Sequence, residues 1–121
     1  MKLKNEIKKA VGDHGLWKTT LKKAIDTGKI DVPIPVIKAD NQCSFGKWLY
    51  GPTLTEKEKT SAHYQEVREL HAAFHEKASK VAQLAVSNNK TRALKMLETN
   101  GEFTTASAAL TTSMIAWLKE K

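Results

Sequence analysis

Four residues of this 121-residue chain have side chains suited to binding a soft cation: His14, Cys43, His71 and His75. His71 and His75 stand four apart, which on a helix brings both rings to one face about one turn apart, within reach of a single ion. Two interfacial histidines hydrogen-bonded to solvent explain that spacing equally well. His14 falls on the apolar stripe of another segment, where a buried imidazole requires either a hydrogen-bond partner or a metal. Cys43 is the chain's one cysteine. It cannot form an internal disulfide, which leaves a small inert core residue or a metal-binding thiolate. Three imidazoles and one thiolate would close a tetrahedral shell of nitrogen and sulfur, which favours Zn2+ over magnesium or calcium. The fourth histidine, His63, lies eight residues before His71, about 12 Å along a helix at 1.5 Å per residue, and cannot share that ion.

The elements that must carry these residues read as helices. From residue 3 to 25 the apolar positions Leu3, Ile7, Val11, Trp17, Leu21 and Ile25 step by three or four, with His14 filling the one gap. Gly12 and Gly15 weaken this helix around His14, and Gly28 offers its stop. Pro33 and Pro35 make residues 30 to 39 an extended connector. Asp40 or Asn41 then caps a short helix through Tyr50 with Cys43 in its first turn, where the helix N-terminus favours thiolate. Gly51-Pro52 ends it. Thr55 and Glu58 form a capping box from which a long helix runs to about residue 86, with Val67, Leu70, His71, Phe74, Ala78, Val81 and Ala85 on one face. After the polar turn Ser87-Asn88-Asn89, the series Leu94, Leu97, Gly101, Thr104, Ala108, Thr111, Ile115, Leu118 suggests a last helix that Gly101 can interrupt. Nothing alternates like a strand. The expected fold is all-α: one domain over residues 1–121, a four-helix bundle of three long helices and one short helix carrying the cysteine. Trp17 and Trp48 are expected to pack around the site.

The bulk numbers bound the function. A chain of this length, 40% hydrophobic and 27% charged, can bury a core without cross-links. No apolar run is long enough to span a bilayer, and the N-terminus lacks the apolar centre of a signal peptide, so a cytoplasmic protein without membrane contact is expected. The net charge of +7 comes mostly from residues 1–30, with eight lysines against three acids. Those lysines suit one solvated helix face. They come without arginine clusters or interleaved aromatics, so a basic adaptor for nucleic acid is a weaker reading. A hemerythrin-like iron- or oxygen-binding bundle is the other alternative, but a di-iron centre needs more histidines and bridging carboxylates than are available here.

Three stretches resemble the CZB, or chemoreceptor zinc-binding, domain of bacteria. They are His14-Gly-Leu-Trp-Lys18, Cys43-Ser-Phe-Gly-Lys-Trp-Leu-Tyr-Gly51 and Leu70-His-Ala-Ala-Phe-His75, in the family's order and at comparable separations. The resemblance implies a helical bundle, often a homodimer, in which one zinc is held by His14, Cys43, His71 and His75. It also implies a regulatory module, not an enzyme, attached to or acting on a chemoreceptor, a diguanylate cyclase or another signalling output protein, whose output changes with zinc or with oxidation of the zinc-bound cysteine.

Overall fold

The computed structural model describes residues 2–30 and 32–120. The side chains of residues 2, 3 and 120 lie outside that description, so Leu3, the first position of the apolar stripe, is outside the described residues. Among these all regular structure is helical: α1 (Lys2–Gly15), α2 (Trp17–Thr27), α3 (Ile34–Lys38), α4 (Ser44–Tyr50), α5 (Glu56–Lys59), α6 (Ala62–Val86), α7 (Lys90–Leu97) and α8 (Glu102–Glu120). The bundle is organised around α6, which packs on α8, α3, α2 and α7. Val67, Phe74, Ala78, Val81, Ala82 and Ala85 form its buried face and meet Leu21 and Ile25 of α2 and Phe103, Leu110, Met114 and Trp117 of α8 in one core. Among the described residues no helix is long and apolar enough to cross a membrane.

The first arm departs from expectation. The helix expected over residues 3 to 25 is broken at Leu16, whose N–H is shared at 3.3 Å between the carbonyls of Gly12 and Asp13 and whose side chain is 65% exposed. Two glycines within the preceding four residues make this turn inexpensive to distort. The break lets α1 pack on α8 and α4 while α2 packs on α6 and α7. Gly28 stops α2 as expected, at φ +72 with its N–H on the Ala24 carbonyl at 2.7 Å.

Two further expectations are corrected, and a third, the break at Gly101, is met with a changed register. The connector expected to be extended contains α3: Pro33 is its N-cap and Pro35 sits in its first turn, where a missing N–H costs nothing. The Thr55–Glu58 capping box forms, but α5 ends after four residues, and the long helix starts afresh with Ser61 accepting from the Tyr64 N–H. The last helix is interrupted before Gly101, where a Cβ would fall 2.3 Å from the carbonyl oxygens of Lys95 and Met96. Residues 98–101 re-phase the chain. The buried series of α8 is therefore Phe103, Leu110, Met114 and Trp117, whereas Ala108 and Ile115 face solvent.

Candidate metal centre

Cys43 reaches the centre of the fold at the very start of α4. It is itself the N-cap, with extended backbone (φ −82, ψ 161), and its Sγ accepts the Gly46 N–H at 3.3 Å. Asp40 and Asn41, the expected caps, lie in the turn before it. A sulfur can replace the usual cap oxygen because the first turn of any helix presents unpartnered N–H groups. Gly46 serves twice, since a Cβ there would stand 1.8 Å from the Asp40 carbonyl oxygen. The absence of that atom lets the 40–41 backbone lie against α4.

The three histidines converge on this sulfur. His14 leaves the last turn of α1, and His71 and His75 leave α6 one turn apart; all three are buried, while Cys43 is only half-buried. The Nε2 atoms of His14 and His71 are 3.1 Å apart, as are those of His71 and His75. Cys43 Sγ is 3.4 Å from Nε2 of His71, 3.5 Å from that of His75 and 4.0 Å from that of His14. The Nδ1 of His14 donates to the Ala10 carbonyl at 2.8 Å and that of His75 to the Ile37 carbonyl at 2.9 Å. Those bonds fix the tautomers, so both Nε2 atoms turn bare lone pairs inward.

Does this cluster suit a metal ion? Tetrahedral zinc with bonds of about 2.0–2.1 Å to nitrogen and about 2.3 Å to sulfur has edges of roughly 3.3 Å between nitrogens and roughly 3.6 Å between nitrogen and sulfur. The two nitrogen–nitrogen separations of 3.1 Å are slightly shorter than the first of these edges, the nitrogen–sulfur separations of 3.4 to 4.0 Å span the second, and all four ligand atoms lie within 4.8 Å of one another. The inward lone pairs of His14 and His75 converge on the Cys43 sulfur, an electron-rich pocket suited to a cation. Among the described residues this is the one such cluster of three or more His, Cys, Asp or Glu side chains. His63, eight residues earlier in the chain than His71, is not part of it.

Burial dominates the electrostatics. It pushes His14 down to about 4, against a smaller upward pull from its bond to Ala10, and it holds His71 and His75 below the ordinary histidine value. The same cause raises the Cys43 thiol, and the N–H groups of Gly46 and Phe45 offset only part of that. The helix N-terminus thus favours the thiolate as expected, but less strongly than burial opposes it.

The rings against the site are not the expected tryptophans. Phe45 meets His14 and His71 edge-on at 5.8 and 5.1 Å between centroids, and Phe74 meets His14 and His75 at 5.0 and 5.5 Å. Trp48 stands one ring further out, against Phe45 and Trp117 at 5.6 and 6.0 Å. Trp17 is partly buried against the hydrophobic core. Phe45 and Phe74 sit beside ligands in the sequence, two residues after Cys43 and one before His75, and that adjacency is the signal a sequence offers for them.

Compared with known protein families, residues 14–82 match the chemoreceptor zinc-binding domain, CZB. The match begins on His14, contains all four clustered residues and covers more than half of the 121 residues. The chain belongs to the CZB family. The comparison with curated proteins found no match, and neither did the comparison with solved structures. As a CZB domain the chain carries its zinc site on His14, Cys43, His71 and His75, a set of three nitrogens and one sulfur whose geometry fits that ion. The CZB match ends within α6, so α7 and α8 lie outside it and meet the site only through packing, as where Phe103 touches Phe74 at 5.3 Å.

Proposed function

We propose that this CZB domain is a regulatory module of bacterial signalling, in chemotaxis or cyclic-di-GMP control, that responds to zinc and to oxidants such as hypochlorous acid through Cys43. One observation carries the reading: the three histidines are buried, while Cys43, on the shortest arm of the site, is only partly buried. Of the four residues, Cys43 is the one a signal from solvent reaches most readily. Four protein ligands leave no open position for substrate or activated water, which argues for regulation over catalysis.

Bound zinc supplies the positive charge that keeps the thiol deprotonated at neutral pH. The Cys43 thiolate then gives two electrons to hypochlorous acid: a sulfur–oxygen bond forms, the oxygen–chlorine bond breaks, and sulfenic acid and chloride are left. No second cysteine is present to form a disulfide within the chain, so an external thiol reverses the step or oxidation proceeds further. Oxidised sulfur is a poor zinc ligand, and its loss unfastens α4, with Phe45, Trp48 and Leu49, from the bundle. The family resemblance further favours a cytoplasmic homodimer that acts on a chemoreceptor or another output protein.

Hydrogen exchange after substoichiometric hypochlorous acid tests this. Residues 41–50 should open before α6 and α8 while zinc appears in solution. A Cys43→Ser chain that answers oxidant as wild type does, or long helices that open first, would exclude the oxidant switch.

A further inference from the structure

Cys43 arrives on a turn and a seven-residue helix, the weakest kind of support for a ligand whose position must be held to a fraction of an ångström. The three histidines have no such difficulty, because α1 and α6 are built into the core. What fastens the cysteine arm is visible at Asp40. Its backbone carbonyl lies against Cα of Gly46 in the first turn of α4, and its carboxylate Oδ2 accepts the hydroxyl of Tyr50, the last residue of α4. One residue thus grips both ends of the short helix, and Cys43 lies inside the loop so closed. The far end of α4 is tied to α6 separately, by the Tyr64 hydroxyl donating to the Leu49 carbonyl at 3.0 Å.

We propose that Asp40 and Tyr50 form a positioning clasp for Cys43, closing residues 40–50 into a preformed loop that holds Sγ at the centre and thereby sets how fast zinc leaves. The inference rests on the zinc site described above. The clasp lies at the surface, with Tyr50 41% exposed and outside the buried core, so the bundle does not depend on it. Its contribution is local. It reduces the freedom that the arm must give up each time the sulfur returns to the ion, which is preorganisation rather than added contact.

The test uses the full zinc-loaded chain and the variants Tyr50→Phe, Asp40→Ala and Asp40→Asn. Zinc transfer to a chromophoric chelator, the thiolate-to-cobalt absorption band after cobalt(II) substitution, and the melting midpoint of the zinc-free chain are read for each. Tyr50→Phe and Asp40→Ala should each retain one zinc per chain but release it roughly three- to tenfold faster, the effect of one net hydrogen bond. Asp40→Asn keeps an acceptor for the hydroxyl and should stay within about twofold of wild type, which separates the clasp from any effect of the carboxylate charge. The double variant Asp40→Ala/Tyr50→Phe should be no faster than either single one. The cobalt band should weaken or shift while the zinc-free melting midpoint stays put. Release at the wild-type rate from Tyr50→Phe, additive single effects, or faster release that merely follows a lowered melting midpoint would each overturn the clasp. Wild-type chain without zinc would instead overturn the zinc reading on which it rests.

Discussion

Cys43 Sγ and His71 Nε2 lie 3.4 Å apart although 28 residues separate them, and neither is held there by the other. The histidine is fixed by the buried face of α6, the cysteine by the cap of α4 and the missing Cβ of Gly46. Two independent supports that converge on one point are what a preorganised metal site requires, and each can be removed separately.

Gly46→Ala removes one of them. Its methyl group would fall 1.8 Å from the Asp40 carbonyl, so either the 40–41 turn or α4 must shift. A fall in stability of about 1–3 kcal/mol, the usual range for an overpacked site, should accompany loss of zinc affinity. Chemical denaturation with zinc titration on the same sample checks it; unchanged affinity would mean that the turn is free to move without consequence for Cys43.

Phe74→Ala tests the packing behind the histidines. This ring is fully buried and touches His14, His75 and Phe103. Its removal should lower folding stability by about 3–5 kcal/mol, measured by urea denaturation of the zinc-free chain. A loss under about 1 kcal/mol would place the ring outside the core that the fold assigns it to.

How far this site is legible in the sequence depends on the kind of signal. The i,i+4 histidines and the apolar stripe holding His14 are periodic features, and periodicity survives into α1, α2 and α6 because burial enforces it. Local chemistry survives less well. The capping box at Thr55 is real, yet Ser61 caps a second helix six residues later, and nothing in a four-residue pattern says how long its helix will be. Pro35 reads as a breaker in the sequence because its place in the first turn of α3 depends on packing against α6. Cys43 as its own helix cap escapes a reading by residue type because cysteine is not a usual cap residue, although Gly46 at the third helical position is a visible cue. On α8 a three-or-four register does not carry across Gly101, where the close approach to Lys95 and Met96 resets it.

Acid should weaken the fold as well as the site. Burial holds His14, His71 and His75 below the ordinary histidine range, His14 at about 4, so in the unfolded chain these imidazoles take up protons at higher pH than in the folded one. The unfolded state binds more protons between those values, and stability therefore falls as pH drops. The zinc-free protein should keep its full stability above about pH 6.5 and lose on the order of 2 kcal/mol by pH 5 from His14 alone. Urea midpoints at pH 7.5 and pH 5 read this directly, and equal midpoints would contradict it. Zinc release on acidification should run in the same direction, because the ligands must be deprotonated to bind.

His63→Ala supplies the control. The residue is a histidine of α6 outside the cluster, so zinc content and release rate should match those of wild type. A variant that loses zinc would show that the cluster has been drawn around the wrong residues.

The central claim is that His14, Cys43, His71 and His75 together hold one zinc ion, and elemental analysis of protein purified without added metal tests it most directly. Wild type should carry one zinc per chain. His71→Ala and Cys43→Ser should retain much less after overnight dialysis against a mild chelator, with helical content preserved by circular dichroism. A wild-type chain without zinc, or single-ligand variants that hold it as firmly as wild type, would contradict the claim.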